Sequence, residues 1–170
     1  MLKKPEATEY PNHFKGYIDL VPEGNLIDIL LNQIDETKKF CQSLTSEQGN
    51  YKYSEDKWTI KEVLGHMADT ERIMSYRLLA IARGEKANLP SFDQNIYASN
   101  TQFNELELHQ ILFELSNVRQ STLSLLSTLS NESLQTIGSV NHAPTTARAM
   151  AYVIAGHELH HLNILKERYV

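Results

Sequence analysis

Several features that mark particular classes of protein are scarce in this sequence. Its 170 residues include a single cysteine, Cys41, which has no internal partner for a disulfide, so a reducing compartment is the simplest environment. No apolar stretch approaches the length of about eighteen residues that a membrane span needs. The N-terminal segment MLKKPEATEYPNHF also has no apolar run of the kind found in secretory signals. These absences predict a cytoplasmic protein that has no membrane partner.

Clusters of basic residues are also missing. The formal net charge is −5 at pH 7, and the lysines and arginines form neither a long run nor a pattern interleaved with aromatic residues. A surface that binds nucleic acid carries concentrated positive charge, because phosphate contacts dominate its affinity. We therefore expect no nucleic-acid partner.

Strand patterns are nearly absent, whereas helical patterns recur along the chain. The one β-leaning stretch, QTIGSV at 135–140, is too short to build a sheet. Apolar residues make up 41% and charged residues 22% of the chain, which is ordinary globular usage. The sequence therefore predicts one all-α domain that spans residues 1–170.

The clearest helix start lies at WTIKEV. Thr59 and Glu62 have the spacing of a capping box, in which each side chain bonds the backbone N–H of the other residue. Trp58 and Val63 have the spacing of a hydrophobic staple, and the apolar periodicity that follows ends at a glycine. This pattern predicts a helix over 60–83.

Three more helices follow from apolar periodicity and cap residues. In FNELEL, Asn104 and Glu107 repeat the capping-box spacing. The stretch 84–103 is too long for a tight turn, so we expect a four-helix bundle in which a crossover joins parallel helices 2 and 3. That stretch could also cover one mouth of the bundle. The predicted ranges of the three helices are 23–44, 104–129 and 146–168.

The segment HELHH at 157–161 has three interpretations. Its spacing matches the zinc-protease signature, in which two histidines one turn apart bind the ion and the glutamate acts as the base. The longer protease signature fails, because Ile164 stands where glycine is expected and Glu167 where histidine is expected. The histidines could instead lie near a helix C-terminus, where the helix dipole favours them. The third interpretation is a metal site in a bundle, with another ligand from a different helix.

Helical geometry places His157 and His161 on one side of their helix, where both can reach one ion. Glu158 and His160 flank this pair, so we expect them at most to contact the ligands. His66 lies in an apolar stretch of the second helix, and alone it is more simply a core histidine bonded to a neighbour. With the pair, it would complete a set of three ligands. The remaining histidines are expected on the surface or in loops: His13, His109 and His142.

Two stretches of the sequence carry a family resemblance. KWTIKEVLGHMADTE and, further along, AGHELHHLNIL resemble segments of the DinB/YfiT-like superfamily of metal-binding four-helix bundles, and the similarity extends over residues 50–168. The resemblance implies a divalent metal ion held by His66, His157 and His161. Asn163 and Ile164 stand where the family commonly has glycine and glutamine, which affects expected substrate contacts but not the ligands.

Three neutral imidazoles leave a metal ion with its full charge and an open position, which lowers the pKa of a bound water or thiol. The resemblance implies two activities of this kind: hydrolysis, or transfer of a low-molecular-weight thiol such as bacillithiol, mycothiol or glutathione to an electrophilic small molecule. We favour thiol transfer, because a thiol from outside needs no protein cysteine and Cys41 is remote in sequence from the histidine motifs.

Other properties stay open at the level of sequence. Imidazole ligands suit zinc, nickel and other divalent ions alike, and no catalytic residue beyond the ligands stands out. Arg72, Tyr97 and Tyr152 could orient a polar substrate, although structural roles are the simpler expectation. A non-enzymatic bundle with a structural metal is the alternative to an enzyme, and the resemblance also implies a homodimer.

Overall fold

The computed structural model describes residues 3–169 and is built mainly from α-helices. The helices are α1 (Lys15–Leu20), α2 (Leu26–Gln42), α3 (Ser46–Gly49), α4 (Ile60–Ala82), α5 (Gln94–Ser99), α6 (Leu108–Ser127), α7 (Asn131–Gln135) and α8 (Ala147–Arg168). The strands are β1 (Asn88–Leu89), β2 (Ile137–Val140) and β3 (Ala143–Thr146). Single turns of 3₁₀-helix lie at Ala7–Glu9, Asn12–Phe14 and Phe103–Glu105. Within the described residues, no helix has the length and apolar character that crossing a membrane requires.

The four long helices α2, α4, α6 and α8 are the predicted ones, and they form the predicted four-helix bundle. α4 and α2 each pack against both α6 and α8. Two apolar clusters fill the interior, one at each end. Residues of one cluster come from the first halves of α2 and α8 and from the second halves of α4 and α6. Residues of the other cluster come from the second halves of α2 and α8 and from the first halves of α4 and α6. α4 and α6 therefore run parallel, as predicted from the long connector between them.

Capping explains where α4 and α8 begin. The Thr59 hydroxyl accepts a bond from the Glu62 backbone N–H at 3.0 Å, and the Glu62 carboxylate accepts one from the Thr59 backbone N–H at 2.7 Å. Thr146 caps α8 through its hydroxyl, which accepts from the backbone N–H of Ala149. These two starts agree with the sequence prediction.

The predicted start of the third long helix at 104 is wrong, because Asn104 bonds to the start of α4 instead. Its side-chain oxygen accepts from the Thr59 hydroxyl at 2.6 Å, and its side-chain nitrogen donates to Glu62 at 2.8 Å. The chain therefore makes a 3₁₀ turn here, and α6 begins later, at Leu108.

The expectation that the chain forms no sheet is also wrong. β2 pairs with β1 in parallel and with β3 in antiparallel orientation. The turn between β2 and β3 places Asn141 and His142 at φ values of 48° and 64°, as in the type I′ turn of a two-residue hairpin. The short β-leaning stretch can form the central strand β2 because its partner strands come from elsewhere. β1 lies in the connector between α4 and α6, and β3 lies just before α8.

A buried arginine joins all four long helices. Arg119 of α6 is fully buried, and its guanidinium donates two bonds to the Glu71 carboxylate of α4, at 2.9 and 2.7 Å. It also donates to the backbone oxygen of Leu30 in α2 and to the Glu158 carboxylate of α8. Glu158 in turn accepts from the Thr37 hydroxyl of α2 at 2.7 Å. We refer to these groups as the Arg119 layer.

Replacing this arginine should destabilise the whole bundle. Arg119→Met leaves two carboxylates buried without their cation, so we expect a loss of about 3–5 kcal/mol in the free energy of unfolding. Urea unfolding, monitored by circular dichroism, measures this loss in the free energy of unfolding. The control is Arg72→Met, which removes an exposed ion pair with Glu114 and should cost at most about 1 kcal/mol. Equal losses in the two variants would show that the Arg119 layer does not hold the helices together.

Candidate metal centre

α4 and α8 bring three histidine side chains to one point. His66 lies in the first half of α4, and His157 and His161 lie in the second half of α8, which runs in the opposite direction. The Nε2 atom of His157 is 3.2 Å from Nε2 of His66 and 3.1 Å from Nε2 of His161. Three ring nitrogens, one from each side chain, lie within 4.8 Å of one another. The structure therefore brings together the three histidines that the sequence singled out.

Burial keeps these imidazoles uncharged at neutral pH. Loss of solvent, assisted by the nearby His160, lowers the pKa of His66 to about 4. Burial and the neighbouring histidines lower the pKa of His161 to about 3 and hold the pKa of His157 well below its ordinary value. Neutral rings have free lone pairs, and metal binding requires this state.

The separations of the His157 ring nitrogen from those of the other two histidines fit a shared metal ion. Two nitrogens that each lie about 2.0–2.1 Å from one ion are about 2.9–3.4 Å apart, depending on the geometry of the site. The two Nε2 separations of 3.1 and 3.2 Å fall in this range. Within residues 3–169, the side chains that meet at this point are three histidines, with no carboxylate or thiol among them. Such a set leaves coordination positions for other molecules, as in catalytic rather than structural zinc sites.

Neighbouring side chains fix the ring of His66. The Thr70 hydroxyl, one helical turn further along α4, lies 3.3 Å from Nδ1 of His66. The same hydroxyl lies 3.5 Å from Nε2 of His66. When Nε2 binds an ion, the ring proton is on Nδ1, and the Thr70 hydroxyl is placed to accept it. The indole ring of Trp58 packs at 4.8 Å from the ring of His66. A hydrogen bond to the second ring nitrogen orients a metal ligand and raises its basicity, and ring packing restricts its rotation.

A close approach of α1 covers the other side of the cluster. The Tyr17 ring lies 5.5 Å from the ring of His157 and 5.4 Å from that of His160. A Cβ atom at position 156 would lie 2.0 Å from the backbone oxygen of Tyr17. Gly156, in the middle of α8, therefore allows α1 to lie against the histidine pair.

Glu158 faces away from the three histidines, which excludes the protease interpretation. Its carboxylate bonds to Arg119 and Thr37 in the Arg119 layer, and burial raises its pKa. The protease mechanism needs this carboxylate beside the ion. His160 lies outside the group of three but packs against the ring of His161 at 5.0 Å.

The other residues considered from sequence lie away from the cluster. Arg72 pairs with Glu114 on the surface, the Tyr97 ring packs on Phe92, and Tyr152 is buried in the apolar core. The exposed histidines, as predicted, are His13, His109 and His142.

A pocket of about 280 Å³ opens beside His161. Trp58 and Tyr53 form one side of it, and Gln94 and Asn95 of α5 form the other. The connector between α4 and α6 therefore contributes to the mouth of the site. Sequence patterns identified Trp58 only as a helix staple, because the pocket depends on three distant segments meeting in space.

Comparison with known proteins gives two kinds of similarity. The chain matches the DinB superfamily over residues 29–165. It is 29% identical over 142 residues to a protein of Oceanobacillus iheyensis whose name proposes a metal-dependent hydrolase, with 82% of this chain and 79% of that protein covered. YfiT from Bacillus subtilis superposes with a TM-score of 0.74 at 16% identity, over 97% of this chain and 90% of that chain. The description of YfiT likewise proposes a metal-dependent hydrolase and notes an unusual four-helix bundle topology.

Substitutions in the cluster should produce graded losses of metal affinity. We expect His66→Ala, His157→Ala and His161→Ala each to lower zinc affinity at least about a hundredfold, because each removes a ligand. Thr70→Val should lower it about ten- to a hundredfold, since it removes the hydroxyl that orients His66. Competition with a chelator of known affinity measures all four, and His109→Ala serves as the exposed control. Unchanged affinity in His66→Ala would require a different third ligand.

Zinc affinity should also resist mild acid. A proton competes with the ion only near the pKa of the metal-free ligand, and the values of about 4 for His66 and about 3 for His161 lie far below neutrality. We expect affinity to change by less than about threefold between about pH 7.5 and 5.5, and to fall below about pH 4. Exposed imidazoles, with a pKa near 6.5, would each lose about tenfold by pH 5.5. A steady fall from pH 7 in a chelator titration would contradict the buried, neutral state of the cluster.

Proposed function

This chain belongs to the DinB superfamily, and from that membership and the three-histidine cluster we propose that it is a divalent-metal enzyme that activates an external nucleophile. The observation that carries the proposal is the convergence of three imidazole nitrogens, together with an open pocket that one of the three histidines, His161, lines. When bound there, a divalent ion supplies Lewis acidity, which makes water or a thiol lose its proton more easily.

The protein's own residues have distinct roles in this proposal. His66, His157 and His161 hold the ion, and Thr70 and Trp58 keep the ring of His66 in position. No residue of the cluster has to lose a proton before metal binding near neutral pH, because the three rings are already neutral.

The nucleophile is proposed to come from outside the chain. Cys41, the only cysteine, is buried in an apolar cluster, and burial raises the pKa of its thiol to about 12. Such a thiol stays protonated and unreactive at neutral pH. We therefore propose a low-molecular-weight thiol as the first candidate nucleophile, with transfer of its sulfur to a small electrophile.

Hydrolysis is the second candidate, and the naming of the Oceanobacillus relative favours it. The same site would then activate water in place of a thiol. A purely structural metal is less well supported, because within residues 3–169 the group lacks a fourth protein ligand and lies beside a pocket. Homodimer formation stays a prediction.

Loading the purified protein with zinc or nickel and assaying it with two generic substrates tests both candidates. In thiol transfer to 1-chloro-2,4-dinitrobenzene, the sulfur of cysteine or glutathione bonds to the ring carbon, chloride leaves and the thiol proton is released. In hydrolysis of 4-nitrophenyl acetate, the oxygen of water bonds to the acetyl carbon, the bond to 4-nitrophenolate breaks, and acetate and protons are released. In one of the two assays, we expect the reaction rate with the metal-loaded protein to be at least about tenfold higher than with the metal-free form or with the loaded His161→Ala variant.

The two assays give separable outcomes. Acceleration only in the presence of thiol supports transfer, and acceleration without thiol supports hydrolysis. Equal rates for the metal-loaded, metal-free and His161→Ala proteins in both assays would contradict the proposed enzyme.

A further inference from the structure

The pocket beside His161 is the inner part of a longer groove. A second pocket of about 240 Å³ adjoins it, and the two share Asp56, Lys57, Trp58 and Asn95. The groove runs between residues 52–58 and helix α5. We call it the α5 groove, and its inner end is the one that reaches His161.

The inner end of the α5 groove is aromatic and without net charge. Tyr53 and Trp58 form its wall on one side, and the uncharged amides of Gln94 and Asn95 face them from α5. Asp56 and Lys57 are its charged members, and they neutralise each other in an ion pair at 2.6 Å. Further out, the groove is lined by charged side chains: Lys52, Glu55 and Glu62.

The aromatic wall is held in position before any ligand arrives. The Tyr169 hydroxyl donates to the backbone oxygen of Trp58 at 2.7 Å, and the Tyr53 ring packs edge-on against Tyr169 at 4.9 Å. On the opposite side, the Asp93 carboxylate accepts from the backbone N–H of Asn95 at 2.8 Å and caps α5. A preorganised wall of this kind costs little ordering entropy on binding.

We propose that the α5 groove binds the organic substrate through an aromatic or conjugated planar group placed against Trp58. The reactive polar group of that substrate then lies at His161, and its remainder extends toward the charged outer end. Ring surfaces pack favourably in offset or edge-on geometry, and the facing amides can donate to a substrate carbonyl. This assignment rests on the proposed function, since the metal centre holds the reactive group.

Two hydroxamates that differ only in their side group test the proposal without requiring turnover. Benzohydroxamate and acetohydroxamate present the same metal-binding group, but only the first carries a ring. Calorimetric titration of the zinc-loaded, full-length protein measures both affinities. We expect benzohydroxamate to bind about tenfold more tightly, because its ring is buried against Trp58.

Three variants locate the source of this preference. Trp58→Leu removes the aromatic wall, and Asn95→Phe fills the groove from exposed helix α5 without altering a metal ligand. Each should reduce the preference for benzohydroxamate below about threefold in protein saturated with zinc. Asn95→Phe, which touches neither a ligand nor its support, should also keep the parent's zinc affinity. The matched control is Phe113→Leu on α6, whose ring is 70% exposed and outside the groove, and it should keep the full preference.

The outcomes separate this proposal from the proposed function. Equal affinities for the two hydroxamates in the zinc-loaded parent protein, or a preference that survives both groove variants, would overturn the α5 groove as the substrate site. Failure to bind zinc, or zinc binding without affinity for either hydroxamate, would instead overturn the open metal centre.

Discussion

The alignment of the four long helices depends on the bonds made by the buried guanidinium of Arg119. Through Glu71 and Glu158 it fixes how α4 and α8 slide and rotate relative to α6. Neighbouring residues of a helix project about 100° apart, so setting Glu158 toward the bundle centre also sets His157, the preceding residue. Glu71 does the same for Thr70, which orients His66. The register of the charged layer is therefore also the register of the three histidines.

This layer favours specificity of arrangement more than raw stability. Burying two carboxylates with one guanidinium is costly, and replacing all the members of such a buried charged group together by hydrophobic residues of similar size often stabilises a protein. Here the cost is reduced because Thr37 and the Leu30 carbonyl satisfy further bonding positions. Burial would lower the pKa of Arg119, but the adjacent carboxylates outweigh it and raise the pKa, so the charge is retained. Two apolar clusters alone would allow the helices to shift along one another, whereas the charged layer permits one alignment.

Local patterns in the sequence predicted local structure well and long-range pairings poorly. The capping box of Thr59 and Glu62 placed the start of α4, because both partners lie within four residues. The start of α6 was missed because Asn104 bonds to a residue 45 positions away. Helical periodicity selected the histidines of the candidate metal centre, but it gave no sign that Arg119 is buried, since a charged residue on a helix normally faces water. The sheet and the α5 groove depend on segments that meet only after folding.

The packing of Trp58 against His66 gives this protein a built-in optical reporter. Trp58 is the only tryptophan in the chain, and its ring lies 4.8 Å from that of His66. Indole emission responds to the charge and electronic state of adjacent groups. Zinc has a filled d shell and would alter this emission through polarity alone, whereas an open-shell ion such as Cu²⁺ would quench it. Binding of an ion at the candidate centre would thus be readable from the unlabelled protein without a background from other tryptophans, and quenching would separate open-shell ions from zinc.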